Sequence, residues 1–116
     1  MMTKTDKEEV LKMVLDHSDL QIYLHPETSG RVPVKIKSND ELGSELFIEK
    51  FNAKVEFINS IDLSQNPAIL DVVSFSYNDK KVVLEIHYAI EGITITGKLI
   101  KETNGWSFED FEVFES

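Results

Sequence analysis

The last third of the chain alternates between apolar and polar residues over a length sufficient for four strands. From Leu70 to Phe114, apolar side chains recur at every second position, and turn-forming sequences divide this stretch into segments of strand length. Successive side chains of a strand point to opposite faces of a sheet, so the alternation assigns each residue to a buried or a solvated face. The pattern therefore predicts a four-stranded antiparallel meander.

The turn at Glu91-Gly92 determines how the second strand, from Val82 to Ile90, pairs with the third, from Ile93 to Lys101. A two-residue loop at this turn gives one apolar and one polar face, as expected for a sheet that is covered on one side. The predicted core-facing pairs are Tyr88 with Ile95, Ile86 with Gly97 and Leu84 with Leu99, and the solvent-facing pairs are Glu85 with Lys98, His87 with Thr96 and Ala89 with Thr94.

The first hairpin of the meander closes over residues 78–81 and keeps the same two faces. Its predicted core-facing pairs are Tyr77 with Val82, Phe75 with Leu84 and Val73 with Ile86. Continuing this register places Asp71 opposite Tyr88 on the core side, with Ile95 next to them on the third strand.

The last hairpin contains the strongest turn sequence of the chain, Asn104-Gly105, two residues that tolerate the positive φ of a type I′ turn. Trp106 and Phe108 then share the apolar face. The alternation breaks at Glu109-Asp110, which predicts a β-bulge there. The predicted pairs beyond the bulge are Phe111 with Leu99 and Val113 with Gly97. Acidic residues on the solvated side, among them Glu109 and Glu112, are typical of a terminal edge strand protected against edge-to-edge association.

The chain before Leu70 has weaker patterns. Thr5-Asp6-Lys7-Glu8 is a capping-box sequence that predicts a helix from Asp6 to His17, and Ser38-Asn39-Asp40-Glu41 predicts a second, short helix that continues to Phe51. We expect extended segments over 20–24, over 32–36 and over 54–58, and an irregular connection over 60–67. The segment over 32–36 is expected near a sheet edge because Pro33 cannot donate a ladder hydrogen bond.

Size and composition indicate one soluble domain over residues 1–116. Of the 116 residues, 41% are hydrophobic, which is enough for a single core. The 21 acidic residues outnumber the 12 basic ones, and the resulting net charge of -9 would repel nucleic acid and anionic membrane surfaces. Because no stretch is apolar enough for a signal segment or a membrane span, we expect a cytoplasmic protein or, alternatively, an exported domain whose signal has been removed.

Few residues of the chain indicate catalytic chemistry. Cysteine is absent, and His17, His25 and His87 lack the spacing of metal ligands. The chain has no serine in a nucleophile elbow and no glycine-rich phosphate loop. We interpret His87 with Glu85 as a pair on the solvated face of the sheet. We therefore expect no metal and no cofactor.

Asp71 and Tyr88 form the candidate site with the most specific chemistry. A carboxylate beside a phenol on the core face would combine a proton acceptor or donor with a group that stabilises an oxyanion. Alternatively, the strand begins only at Val72 or Val73, and Asp71 lies in solvent at its start.

Three further residues of the core face are candidates for ligand binding. Ile95 is next to the Asp71 and Tyr88 pair in the predicted register. Gly97 leaves a gap that marks a bend, a closely packed neighbour or a ligand pocket. Trp106 follows the last turn and serves either as a ligand platform or as an anchor of the core.

The meander also carries a resemblance. The end of the chain resembles the end of the cystatin-like α+β rolls, including their nuclear-transport-factor-like branch. The resemblance lies in Glu91-Gly92-Ile93 followed by a strand, and in the closing hairpin from Lys101 to Phe108. The resemblance implies an N-terminal helix packed on a curved antiparallel sheet. In the ketosteroid-isomerase-like enzymes of this superfamily, an aspartate base and a tyrosine donor line a cavity between sheet and helix, and Asp71 and Tyr88 are of these types. Small bacterial proteins of the same class imply no activity.

Two hypotheses of function follow. The first is a non-catalytic binding or protein-interaction module whose partner meets the acidic surface or a sheet edge. The second is a protein that binds a small hydrophobic molecule, or an isomerase-like protein, using Asp71 and Tyr88. We expect a monomer or a homodimer formed through the sheet, whose solvated face has Val83, Ala89 and Ile100 as its apolar residues on the second and third strands.

Overall fold

Two helices and eight strands form within residues 2–59 and 67–115, the part of the chain that the computed structural model describes. The helices are α1 (Lys4–Asp16) and α2 (Ser18–Leu24). The strands are β1 (Lys35–Lys37), β2 (Glu49–Lys50), β3 (Ala53–Lys54), β4 (Glu56–Ile58), β5 (Leu70–Asn78), β6 (Lys81–Tyr88), β7 (Ile93–Glu102) and β8 (Gly105–Glu115). None of the described helices is long and apolar enough to cross a membrane.

Six of the strands form one sheet in the order β4-β1-β5-β6-β7-β8, and β2 pairs with β3 in a separate hairpin. Strand β1 is parallel to both of its neighbours, whereas β5 to β8 form an antiparallel meander. This architecture confirms the prediction of an α+β fold with an N-terminal helix and a terminal four-strand meander.

The hydrophobic core lies between the two helices and one face of the sheet. Helix α1 contributes Val10, Leu11, Val14 and Leu15, and alternate residues of β6 and β7, such as Leu84 and Ile95, meet them from the sheet. Residues that alternate with these along the strands, such as Val83, lie on the other, exposed face. The alternation of the sequence therefore does assign the two faces of the meander.

Helix α1 begins two residues earlier than predicted. Thr3, not Thr5, is the N-cap: its hydroxyl accepts a hydrogen bond from the Asp6 backbone N–H at 3.0 Å, and the Asp6 carboxylate accepts one from the Thr3 backbone N–H at 3.2 Å. The carboxylate of Asp6 is held in this position by contacts with β7 and β8. A tertiary interaction thus selects between two adjacent capping sequences.

The expectation of an extended segment over 20–24 is wrong, because these residues belong to α2. Leu20 and Leu24 are buried, whereas Ile22 between them is 70% exposed. Two apolar residues four apart fit both a strand and one face of a helix, so the pattern was ambiguous. The His17 side chain caps the helix by accepting a hydrogen bond from the Asp19 backbone N–H at 3.1 Å.

The second predicted helix, over 39–51, is also wrong. Asn39 Oδ1 accepts hydrogen bonds from the backbone N–H groups of Glu41 and Leu42, at 2.8 and 2.9 Å, and closes a local turn. Asparagine side chains stabilise such turns as readily as helix starts. The chain then runs on to the β2-β3 hairpin, and Phe47, which the helix would have buried, is 56% exposed.

The segment around Pro33 does not lie at a sheet edge. Strand β1 starts only at Lys35, after the proline, and it lies between β4 and β5. Pro33 precedes the ladder, so its missing N–H does not exclude an interior strand. The expected extended segment over 54–58 contains β4, and residues 60–66 of the expected irregular connection lie outside the described part of the chain.

A bulge in β5 changes the register of the first hairpin. Tyr77 pairs with Val82 and Phe75 with Leu84, as predicted. The register then shifts between Val72 and Ser74, so that Val72 instead of Val73 faces Ile86. On the N-terminal side of the bulge, Asp71 is opposite His87 and Leu70 is opposite Tyr88. The predicted pairing partners at the start of this strand are therefore wrong by one residue.

The turn between β6 and β7 is longer than the predicted two-residue loop. A 3₁₀ turn over Ala89–Glu91 precedes Gly92, which has a φ of 63°. The register therefore differs by two residues from the prediction, and each side chain keeps its predicted face. The observed pairs are Leu84 with Gly97, Ile86 with Ile95, Tyr88 with Ile93, Val83 with Lys98, Glu85 with Thr96 and His87 with Thr94.

The last hairpin has the predicted bulge and a turn that is one residue earlier than predicted. Thr103 and Asn104 form the loop, and of the predicted pair only Gly105 has a positive φ, of 126°. The register shifts by one residue at Glu109, which confirms the bulge. Phe108 is opposite Leu99, Phe111 opposite Gly97 and Val113 opposite Ile95, so the predicted partners of Phe111 and Val113 are wrong.

Candidate interaction site

The structure does not bring Asp71 and Tyr88 together. Asp71 is half-buried and paired with His87, whose side chain is on the solvated face, whereas Tyr88 is 4% exposed on the core face. The bulge in β5 causes this difference, because it reverses the faces of the residues that precede it. A carboxylate and phenol pair at this end of the sheet is therefore not formed.

The Tyr88 ring instead packs beside a buried ion pair. Arg31 Nη2 lies 2.7 Å from Glu91 Oε2, and Arg31 Cζ lies 5.8 Å from the centroid of the Tyr88 ring. Arg31 Nη1 also donates to the Tyr23 carbonyl oxygen at 3.3 Å, and His25 Nε2 lies 3.5 Å from Glu91 Oε1. These contacts hold the β6-β7 turn against the end of α2 and the segment that follows it.

Burial shifts the pKa of Tyr88, whereas the pKa of Arg31 follows its contacts. Burial raises the pKa of the Tyr88 phenol above its usual range, and the neighbouring Arg31 offsets only part of this rise. Burial also lowers the pKa of Arg31, but the hydrogen bond to Glu91 and the proximity of Tyr88 outweigh this effect and raise it. The guanidinium is thus charged and satisfied, and the cluster has a structural role.

Ile95 and Gly97 lie in the core of the sheet. Ile95 is fully buried. A Cβ atom on Gly97 would lie 3.4 Å from Leu84 Cδ1 and 3.7 Å from Phe111 Cδ2. The space beside this glycine is therefore filled by two neighbouring side chains.

We expect Gly97→Ala to fold with a free energy of unfolding within about 1 kcal/mol of the parent protein, because its Cβ would make ordinary contacts. Gly97→Leu should lose about 2 kcal/mol, because it overpacks the core against Leu84 and Phe111. Urea unfolding followed by circular dichroism measures both. A leucine variant as stable as the parent would instead reveal an empty pocket beside Gly97.

Trp106 is an anchor of the core and is 7% exposed. Its indole Nε1 donates to Asp6 Oδ1 at 3.1 Å, and Lys101 Nζ donates to the same oxygen at 3.0 Å. Burial raises the pKa of Asp6, but hydrogen bonds from Lys101, Thr3 and Trp106 outweigh it and lower the pKa from 3.8 to about 2. A charged aspartate thus joins the start of α1 to the last hairpin.

His87 is a surface histidine that contacts an acidic side chain. His87 Nε2 lies 2.7 Å from Glu85 Oε2, and both side chains are more than 40% exposed, which confirms the predicted surface pair. Within residues 2–59 and 67–115, no group of three or more histidine or acidic side chains could hold a metal ion.

Strand β8 is one of the two terminal strands of the six-stranded sheet. This strand has eleven residues and, within residues 2–59 and 67–115, pairs on one side only, with β7. The other terminal strand, β4, has three residues. The prediction of a terminal edge strand is therefore confirmed, and its length is sufficient for a further strand to pair with it.

The direction of the backbone N–H groups along β8 follows from two hydrogen bonds. The Lys101 N–H donates to the Lys80 carbonyl, away from β8, and the Trp106 N–H opposite it donates to Glu9 Oε2 at 2.9 Å, away from β7. N–H groups alternate in direction along a strand. With the bulge included, those of Phe108, Phe111 and Val113 also point away from β7.

An open groove of about 370 Å³ runs between α1 and the core-facing side of β8. It is lined by Glu9, Lys12, Met13, Asp16, His17 and Phe108. The His17 ring is stacked on Phe111 with 3.8 Å between centroids and meets Phe108 edge-on at 5.0 Å. The groove therefore offers apolar and aromatic surface directly beside the free strand edge.

The solvated side of β8 is acidic. Glu109 forms an ion pair with Lys81 at 3.0 Å. Asp110 and Glu112 are exposed, and neither has an ion pair with a residue of the described ranges. The two sides of this edge thus differ, with apolar surface towards the helix and unpaired acids towards solvent.

Sequence patterns indicated the edge and its acids, but not the groove. Glu9, Met13 and His17 are recognisable as part of a site only once α1 is placed beside β8, and no local pattern indicates that placement.

Comparisons of this chain with protein-family models, curated proteins and solved structures found no match.

Proposed function

We propose that this protein is a non-enzymatic interaction module that binds an extended segment of a partner protein along the free edge of β8. The observation that carries the proposal is the length of this one-sided strand, eleven residues, beside an apolar groove. Strand addition at an exposed edge gains affinity from main-chain hydrogen bonds and specificity from side-chain pockets. We also propose kinship with the cystatin-like rolls, supported by the N-terminal helix and the meander.

An isomerase-like function is not proposed, because Asp71 and Tyr88 lie on opposite faces of the sheet. The groove is also open, and the charged side chains that line it are exposed or engaged with neighbours. Lys12 and Asp16, for example, form an ion pair at 3.1 Å. A surface for peptide binding fits this geometry better than a closed reaction chamber.

Hydrogen exchange of the protein tests the proposal. It is measured with and without bound peptides that have been selected from a displayed random library. In the free protein, the amides of Phe108, Phe111 and Val113 should exchange rapidly, because they point away from β7, and a bound peptide should protect them. The amides of Ser107 and Glu112 point at β7 and serve as internal controls that are slow in both states. Binding that leaves the three outward amides unprotected would contradict strand addition.

A pair of variants tests whether the peptides bind at the strand edge or on the solvated face of the sheet. Val113→Pro removes one outward N–H and keeps a side chain of similar size, and it should abolish binding of the selected peptides. Val83→Asp alters the solvated face of the sheet and should leave binding unchanged. The opposite result would place the partner on the sheet face. Circular dichroism checks that both variants are folded.

A further inference from the structure

We infer that the segment bound at β8 is an extended peptide in which apolar and basic residues alternate, an inference that rests on the proposed strand addition. The two sides of the edge carry different chemistry, and side chains of an added strand must alternate between them. Each side therefore specifies every second residue of the ligand.

Apolar residues of the ligand correspond to the core-facing side of β8. A residue opposite Phe108 or Phe111 would point towards α1, where Met13 and the stacked His17 ring line the groove. Directly opposed side chains in a sheet lie about 5 Å apart, close enough for these rings to cover an aliphatic side chain. The charged side chains that also line this groove already have partners: Lys12 pairs with Asp16 at 3.1 Å, and Glu9 accepts a hydrogen bond from the Trp106 N–H at 2.9 Å.

Basic residues of the ligand correspond to the solvated side. Asp110 and Glu112 project from this side two residues apart and have no ion pair within the described chain. An added strand would bring one side chain opposite each of them, and opposite charges stabilise such cross-strand pairs. The net charge of -9 acts in the same direction, because it attracts a basic segment over longer range.

The same acids argue against a second copy of this chain as the occupant. Pairing of β8 with β8 would bring the acids of one copy close to those of the other, and like charges in opposed positions are destabilising. A basic partner strand gains from these acids instead.

Three synthetic peptides of seven residues test the inference. The first alternates lysine and valine, the second has the same composition in one lysine block and one valine block, and the third alternates glutamate and valine. We expect the first to bind and to protect the amides of Phe108, Phe111 and Val113. The block and acidic peptides should bind at least about tenfold more weakly, because the block peptide cannot match both sides of the edge and the acidic peptide places like charges opposite Asp110 and Glu112.

A charge-reversed variant tests the assignment of the acids. Asp110→Lys with Glu112→Lys should weaken the basic alternating peptide by about tenfold and strengthen the acidic one. The matched control is Asp40→Lys with Glu45→Lys, which changes the net charge equally at exposed positions outside the sheet and should change affinity less than about twofold.

The outcomes separate the inference from the proposed function. If the acidic or block peptide binds as tightly as the first and protects the same amides, strand addition stands and the alternating basic pattern is overturned. If the first peptide binds without protecting those amides, strand addition itself fails. Absence of binding, or amide protection that accompanies dimer formation in sedimentation experiments, overturns the inference in favour of a free edge or of a second copy.

Discussion

Glu91→Ala should lower the free energy of unfolding by about 3 kcal/mol, because it leaves the Arg31 guanidinium buried without its counter-ion. The Arg31 side chain is only 8% exposed, and its shortest contact is the 2.7 Å pair with Glu91. Removing one member of a buried pair is more costly than removing both, because the remaining charge keeps its desolvation penalty. Urea unfolding at neutral pH, monitored by circular dichroism, measures the loss.

A double variant provides the control for this prediction. Arg31→Met with Glu91→Leu removes both charges and preserves most of the side-chain volume, and its stability should return to within about 1 kcal/mol of the parent protein. If the single and double variants are equally destabilised, packing around the β6-β7 turn, and not the unpaired charge, is responsible.

Asp6→Asn should destabilise the protein by about 2 kcal/mol at neutral pH and by progressively less as the pH falls. The pKa of Asp6 is lowered in the folded protein from 3.8 to about 2, so its ionised form stabilises the fold at pH values above 3.8. This contribution is lost between about pH 5 and pH 2, as the carboxylate becomes protonated in the folded state as well. The difference between parent and variant should therefore narrow over this range.

The sole tryptophan makes this experiment direct, because Trp106 donates its hydrogen bond to Asp6 and reports unfolding by fluorescence. Asp19→Asn is the matched control: the Asp19 side chain is 64% exposed, and its loss should cost less than about 0.5 kcal/mol at any pH. A gap between parent and Asp6→Asn that stays constant from pH 7 to pH 2 would mean that amide packing, not the lost charge, causes the destabilisation.

The faces of the meander could be predicted from the sequence because alternation is a local property. Pairing registers were less secure, since they depend on turn length and bulges. The β6-β7 register moved by two residues and preserved every face, whereas the bulge at Val73 moved the start of β5 by one and reversed them. The candidate pair of Asp71 and Tyr88 was wrong for this reason alone.

The first half of the chain was harder to predict because its short apolar patterns fit more than one structure. Leu20 and Leu24 satisfy helical and extended spacing equally, and Asn39 begins a turn with the same residues that would cap a helix. The position of β1 between two parallel neighbours depends on β4 and β5, which follow it in the chain. Tertiary contacts decided each of these cases.

The edge of β8 could be anticipated from its acids and its bulge, but the rest of the candidate site could not. Glu9 and Trp106 are 97 residues apart, and Arg31 and Glu91 are 60 apart. Nothing in the local sequence around Glu9 marks it as a residue that reaches a strand edge. Its hydrogen bond to Trp106 can be recognised only once the helix is placed on the sheet.

The hydrogen bond between Trp106 and Asp6 also has a consequence for the order in which the chain is made. It joins residues 100 positions apart, so the carboxylate that caps α1 meets its indole donor only after the chain as far as Trp106 has been synthesised. Until then, α1 lacks both the sheet that buries Leu11 and Leu15 and the donors that hold Asp6. Helix α1 is thus synthesised before every strand of the sheet and is among the last elements that can reach their native partners.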